Sequence, residues 1–406
     1  MTKPDPVYIE ALKRLEAKPE LAVQIADIMR AHRKRPSKAS YEARLFKYHP
    51  VRYTILRNDP LWKVIDDSIA MGFADPLVGT GERVLYLLQH GYLTLSDIDV
   101  SFYSSETIED ILCMEGAGDE SGLQIAEEDW HEKGEQIFDL SQIAALFSET
   151  DASDVPFSAI NLPYSSFYIY WGAHLEIPSP ISHRYIDGCY VSCRDWGTMD
   201  RMLELQFTSS FEPNFPWDTC SLICNVAHDA NGSIGLMKSL SPEENGDADP
   251  TFSSLYADLD QTGFYPAPLA KKWTPALKKA LSMAANCLCY LSAENAEVET
   301  GFPGDAPARL VLQTNSLKKS ERERASSKLA SLGFRRIHLC GRATAETLGL
   351  SHNTAQMPPH WRRGHWRKQR YGEKLAKTKI IWMSGVLVNA EKGQPAAGHI
   401  YIADKK

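Results

Sequence analysis

The sequence predicts an α+β protein of several domains, and three observations carry that prediction. Apolar residues recur at helical spacing through the first 150 residues. A middle stretch changes to β-branched and aromatic residues in alternation. The last hundred residues mix strand and helix patterns under a strongly basic charge. A chain of 406 residues exceeds what one ordinary core covers, so two or three domains are expected. Apolar residues at 43% and charged residues at 24% lie in the globular range and exclude wholesale disorder.

Residues 1–150 read as a mostly helical N-terminal region. "VYIEALKRLEAKPELAVQIADIMRAHRKR" sets Ile9, Leu12, Leu15, then Leu21, Ile25, Ile28 and Met29 at helical spacings, and stops in the basic run at 33–38. "DPLWKVIDDSIAMG" offers Asp59 as N-cap, Pro60 at the first helical position and Gly72 as the stop. "GERVLYLLQHG", "ETIEDILCMEG" and "FDLSQIAALFSE" continue the helical reading. "AEEDWHEKGE" reads as a solvated acidic stretch.

Residues 151–300 read as an acidic, β-rich domain with a closing helix. An Asp/Ser-rich linker gives way to "SSFYIYWG", which places Phe167, Ile169 and Trp171 on one face and Tyr168 and Tyr170 on the other. "YIDGCYVSC", "MLELQFTSSF" and "TCSLICNVAHDANGSIGLMKSL" extend the strand pattern, with Asn231-Gly232 as a turn. His183, Arg184 and Asp187 in "SHRYIDG" read as a polar surface group. The closing helix is "TPALKKALSMAANCLCYLSAENAEVE".

Residues 301–406 read as a small basic α+β domain. "VLQTN" is expected as a strand, "SLKKSERERASSKLASLG" as an exposed helix ending at Gly333, and "FRRIHLCG" as a strand. "HWRKQRY", "KIIWMSGVLVN" and "GHIYIADKK" follow as further strands.

Charge and cysteine content narrow the function classes. The net charge is −8, but residues from Arg309 onward carry 20 basic against 6 acidic side chains, residues 1–63 carry 14 against 7, and residues 64–308 carry 10 against 39. A basic segment of that density attracts polyanions, because each cation that neutralises a phosphate releases a counterion. The acidic middle serves either solubility or shielding of the basic end. The eight cysteines show no C-x2-C pair; Cys189/Cys193 and Cys220/Cys224 read as reduced core thiols rather than zinc ligands, and no metal or other cofactor is expected. The N-terminus lacks an apolar signal core and no run reaches membrane-spanning length, so a cytoplasmic protein with no membrane partner is expected.

One stretch carries chemistry. In "PPHWRRGHWRKQRYG", residues 358–372, two prolines exclude a helix upstream and Gly364 permits a tight backbone approach. A strand after Gly364 sets His365, Arg367, Gln369 and Tyr371 on one face and Trp366, Lys368 and Arg370 on the other. Metal-independent RNA cleavage needs a base, an acid and cations around the phosphorane. His360 and His365 suit the proton transfers, Arg363 and Arg367 the clamp, and Tyr371 a reserve proton carrier. The same stretch describes a plain nucleic-acid grip, in which Arg362, Lys368 and Arg370 meet phosphates and Trp361 and Trp366 stack on bases.

The motif His360 to Arg367, followed by Gly372 and the strand from Ile380 to Asn389, resembles the C-terminal signature of a family of bacterial and phage or other mobile-element proteins. The resemblance covers about the last fifty residues and implies a mobile-element context, with no activity attached.

The expected function is therefore nucleic-acid binding through the basic C-terminal domain, with RNA preferred to DNA because interleaved aromatics suit unstacked bases. A metal-independent ribonuclease using His360 and His365 is the enzymatic alternative. The other is a non-enzymatic inhibitor or antitoxin-like protein that binds a host factor, and so has a protein partner.

Overall fold

A computed structural model describes residues 45–57, 120–148, 150–155, 160–179, 184–196, 199–210, 222–228, 234–236, 267–348 and most of 361–387, with isolated positions between 23 and 43 and between 91 and 94. Helices α1 (His49–Arg57) and α2 (Glu120–Glu132) precede strand β1 (Ile137–Asp139). Short helix α3 (Ala144–Ser148) leads to β2 (Ser166–Tyr170), β3 (Ile186–Trp196), β4 (Met199–Ser209), β5 (Leu222–His228) and β6 (Ile234–Leu236). Then come the 26-residue helix α4 (Ala267–Ser292), β7 (Val298–Gly301), α5 (Ala308–Gln313), α6 (Lys319–Ser331), β8 (Ile337–Cys340) and α7 (Arg342–Leu348). The described chain closes with β9 (Trp361–Arg362), β10 (His365–Tyr371), β11 (Lys377–Met383) and β12 (Val386–Leu387). The α+β class read from the sequence is the class observed.

Eight strands form one sheet in the order β6-β5-β4-β3-β2-β1-β8-β7. β1 runs parallel to both β2 and β8, and the other pairings in the sheet are antiparallel. The expected 300/301 division falls inside β7, and the sheet is continuous from the middle region into β7 and β8. β1 lies in the region read as mostly helical. "FDLSQIAALFSE" opens on that strand because Phe138 and Asp139 pair on both sides, with β2 and β8, before the chain turns into α3.

Both faces of the sheet are covered, and the alternation read from "SSFYIYWG" sorts the two sides as expected. Phe167, Ile169 and Trp171 join Phe138, Val191, Leu205 and Phe207 under helices α3 and α4. Tyr168 and Tyr190 face the other way, against Tyr48, Val51 and Tyr53 of the α1 segment and Trp130 of α2. The last turns of α4, from Leu281 to Tyr290, are buried almost without a break. A helix enclosed on all sides needs apolar or small residues all round, which "LSMAANCLCY" supplies.

Several local readings are corrected. "VLQTN" lies in helix α5 and the turn after it: the Pro307 carbonyl accepts from the amides of Leu310 and Val311, and a helical turn closes before any strand partner is met. "AEEDWHEKGE" is solvated along Glu128 and His131 to Gly134, as read, but Ala126, Glu127 and Trp130 are buried. It completes α2, whose Trp130 is fully buried and donates its indole N–H to the Gln136 carbonyl at 2.8 Å. The closing helix starts at Ala267, upstream of Thr274, and stops at Ser292. There the Tyr290 hydroxyl accepts from the Glu297 amide at 3.0 Å, and β7 begins. Arg184 and Asp187 are buried rather than on the surface. β4 separates β3, which carries Cys189 and Cys193, from β5, which carries Cys224, with Cys193 opposite Leu203 and Cys224 opposite Leu205; Cys220 lies outside the described residues. Cys189, Cys287, Cys289 and Cys340 are buried free thiols. Asn231-Gly232 and "GHIYIADKK" lie outside the described residues, as do "DPLWKVIDDSIAMG" and "ETIEDILCMEG".

Gly364 shows why the motif needs a glycine. A Cβ built there would meet the Trp382 ring at 2.3 Å, and Trp382 is itself buried. Gly364→Ala should therefore lower stability by about 1–3 kcal/mol, the range of core overpacking. Chemical denaturation of the variant against the parent chain measures it, and equal midpoints would show that the indole yields freely.

Candidate functional site

β10 and β11 form an antiparallel hairpin that pairs His365 with Met383, Arg367 with Ile381, Gln369 with Lys379 and Tyr371 with Lys377. Directly opposed residues share a face, so these eight side chains form one side of the ribbon. It is the outward side. His365, Arg367, Tyr371, Lys377 and Met383 are exposed, and Gln369, Lys379 and Ile381 are half-buried. The Lys379 ammonium sits 5.3 Å from the Tyr371 ring centre and pairs with Glu294. Arg367 and Lys377 have no ion-pair partner among the described residues, and no described group bonds the His365 imidazole. The face thus presents cations, an imidazole and a phenol to solvent, and among the described residues no carboxylate or carbonyl orients the imidazole for proton transfer.

The opposite side is turned into the protein. Trp366 packs at 4.6 Å from Trp382 and 6.3 Å from Phe147, ring centre to ring centre, and donates its indole N–H to the Asn286 Oδ1 at 2.8 Å. Ile380 and Trp382 are buried beside it. Trp366 was expected to stack on bases, but its ring is committed to seating the hairpin on α3 and α4. Lys368 and Arg370 lie on the same side beyond the rim of that core and are exposed, with the Lys368 ammonium donating to the Asp154 carbonyl at 2.9 Å. Trp361 and Arg362 form β9, which pairs antiparallel with β12. His360 and Arg363 lie outside the described residues. The structure therefore brings His365, Arg367 and Tyr371 together on one face and separates Trp366 from them.

A second polar constellation includes Asp187, which the sequence put in a polar surface group, and its other members were not found from sequence. It lies between the sheet and α1. Asp139, at the end of β1, accepts from the Lys47 ammonium and the Tyr48 hydroxyl, each at 2.7 Å, and from the Ser141 amide and hydroxyl. Asp187 of β3 faces the Arg52 guanidinium at 3.5 Å and accepts from Thr208, which in turn bonds Tyr168. Burial works to raise the Asp139 pKa, but the Lys47 charge and the hydrogen bonds from Lys47, Ser141 and Tyr48 outweigh it and hold the carboxyl below its ordinary value. For Asp187 burial prevails over Arg52 and Thr208, and its pKa is pushed up to about 6. Burial, reinforced by Arg52, drives the His49 imidazole well below its ordinary value, so it is neutral. Its Nδ1 meets the Tyr190 hydroxyl at 3.0 Å. Sequence reading missed this layer because Glu204, Gln206 and Thr208 alternate with Leu203, Leu205 and Phe207, the pattern of a solvated face. The described residues hold no group of three or more side chains placed to bind a metal ion, and no described helix is long and apolar enough to cross a membrane.

A family model described as "AcrVA2-like: Anti-CRISPR type V subtype A2 family" matches residues 138–390, from β1 through the hairpin to the end of β12. A solved structure described as "Crystal structure of AcrVA2" aligns over 94% of this chain and 99% of its own length, at 14% identity and a TM-score of 0.33. Comparison with curated proteins finds no match.

Two outcomes follow from the geometry. Trp366→Ala should cost roughly 3–5 kcal/mol of stability, as large aromatic truncations in cores do, whereas Arg367→Ala should leave the melting temperature unchanged. Equal effects in thermal melts would mean that Trp366 is not part of the hairpin's seat. Asp187 has a raised folded-state pKa, so its contribution to stability is full below about pH 4 and is lost as the pH rises through about 6. Asp187→Asn removes that titration. Its stability relative to the parent should improve by ~3 kcal/mol between pH 4 and pH 7, the value of about two pKa units. A difference that stays constant across that window would place the Asp187 pKa near its ordinary value.

Proposed function

The chain belongs to the AcrVA2-like anti-CRISPR family, and on that premise we propose that it inhibits a type V CRISPR–Cas system by binding a host component. The observation that carries this reading is the family match over residues 138–390, which takes in most of the described sheet, helix α4 and the hairpin. It favours the inhibitor that the sequence offered as an alternative, and it fits the mobile-element context implied by the His-Trp-Arg motif. A type V effector works as a complex of protein and guide RNA, whose phosphate backbone is one polyanion available to such an inhibitor. The outward hairpin face, with His365, Arg367, Tyr371 and Lys377 exposed together, is the element suited to meet it. Arginine supplies a planar fork for phosphate oxygens, and Tyr371 an aromatic face for an unstacked base.

The test uses cells that carry an active type V system and are challenged with a plasmid bearing the targeted sequence. Expression of the whole chain should restore plasmid establishment, and undiminished interference would overturn the proposal. Arg367→Ala combined with Lys377→Ala should weaken the restoration at least tenfold if the hairpin meets phosphates, since each contact adds to a counterion-release term. Full restoration by that variant would move the contact elsewhere. If guide RNA is shortened in the restored cells and His365→Ala prevents it, the protein is a nuclease and the binding-only reading falls.

A further inference from the structure

β7 and β8 are adjacent and antiparallel, a pairing that a turn of about two residues can join. Here the connection instead carries helices α5 and α6, and little of it serves the core. α5 has no buried residue, although its sequence is Ala-Arg-Leu-Val-Leu-Gln. α6 buries only Ala325 and Leu329. Leu312 is 73% exposed and Leu317, in the turn between the helices, is 98% exposed. Outside the two helices the connection buries Pro303, Ala306 and Thr314, still few residues for its length.

The turn that displays Leu317 is braced. Ser316 donates its hydroxyl to Glu321 at 2.6 Å, and Arg322 donates to the carbonyls of Ser316 and Leu317 at 2.8 and 3.0 Å. Three side-chain bonds thus hold a leucine out in water, where it gains nothing until something covers it. Such preorganisation lowers the ordering cost of docking. The charge around it is one-sided: residues 308–332 hold six basic and two acidic side chains. Lys318 and Lys319 are paired with those two acids, whereas Arg309, Arg324 and Lys328 have no ion-pair partner among the described residues.

We infer that the α5–α6 arm is a protein-docking element, in which Leu317 and Leu312 enter an apolar pocket rimmed by carboxylates on the effector protein of the type V system. The carboxylates meet Arg309, Arg324 and Lys328. A protein is favoured over nucleic acid because residues 308–332 contain no aromatic side chain to stack on a base, and an aliphatic knob finds no pocket on a phosphate backbone. In this the arm differs from the hairpin face. The choice of the effector as partner rests on the inhibitor reading; the docking chemistry rests on the arm alone.

The experiment uses the full chain in the same interference cells. Leu317→Asp is one variant, and Arg309→Glu, Arg324→Glu and Lys328→Glu together are a second. All four positions are exposed, so thermal melts should match the parent. A photo-crosslinking residue replaces Leu317 in one further chain and the exposed Glu132 of α2 in another. Both variants should need about tenfold more protein for half-restoration of plasmid establishment, the loss typical of a buried anchor. Position 317, and not 132, should crosslink to the effector protein. The proposal is overturned if both variants restore as well as the parent, or if position 317 crosslinks to RNA, or to the effector no better than position 132 does. If the parent chain fails to restore establishment, the inhibitor reading falls by itself. An effector adduct specific to position 317 would then still uphold the arm, and its absence would overturn the arm as well.

Discussion

One amide inside a buried helix fixes the relation between the scaffold and its basic surface. Asn286 lies in the enclosed part of α4, where an unpaired polar group costs about 1–3 kcal/mol. Its Nδ2 donates to the Thr150 carbonyl at 3.0 Å and to Ser282 at 2.9 Å, while its Oδ1 accepts the Trp366 indole N–H. One side chain therefore ties the helix, the segment after α3 and the hairpin together. Asn295 repeats the device at the other strand, donating to the Trp382 carbonyl at 2.9 Å and accepting from its amide at 3.1 Å. Apolar packing alone would let a two-stranded ribbon slide on the helix. Paired amides admit one register, because a slip of one residue would turn Trp366 and Trp382 outward and bring Arg367 against Asn286.

The other side of the sheet solves a different problem. A strand face carrying Tyr168, Tyr190, Gln206 and Thr208 is too polar to bury against an ordinary apolar helix. It is met by a segment of matching polarity, in which Lys47, Tyr48, His49 and Arg52 supply donors and charges. Such buried ion pairs add little net stability, since desolvation offsets the attraction, but breaking one leaves an uncompensated charge. Their effect is on specificity: the segment must bring a cation and a hydroxyl to Asp139, as Lys47 and Tyr48 do, and a cation to Asp187, as Arg52 does. The fit is incomplete, because the His49 Nε2 and both ends of the Gln206 amide are buried without hydrogen-bond partners among the described residues.

This contrast explains how far the sequence could be read. Elements whose periodicity is set by local burial were legible: β2 by its alternation, α6 by its polar run ending at Gly333, and β10 with its two faces in the right phase. The outward set of His365, Arg367 and Tyr371 followed from that phase. What was not legible depended on partners distant in sequence. Glu204, Gln206 and Thr208 look solvated, yet all three are buried, and Thr208 is joined through Asp187 to Arg52 of α1, far upstream in sequence. Trp366 looks like a base-stacking residue because arginines flank it; only Asn286 and Phe147 show that its ring belongs to the core. Composition also misled at α5, where Val311 and Leu312 suggested a strand although Pro307 and the backbone bonds after it close a helical turn.

The distribution of charge follows the same division. Cations that serve the fold are spent on particular carboxylates or carbonyls, as Arg52 is on Asp187 and Lys47 on Asp139. Among the described residues Lys279 and Arg336 also lack an ion-pair partner, but several such cations lie on the hairpin face, as Arg367 and Lys377 do, and on the α5–α6 arm, as Arg309, Arg324 and Lys328 do. The two differ in what accompanies the charge. The hairpin couples arginine and lysine with imidazole and phenol, while the arm couples them with leucine. A surface selected for solubility alone would intersperse both signs. Cations combined with aromatic groups on one element and with exposed aliphatic groups on the other fit the two proposed contacts of different chemistry.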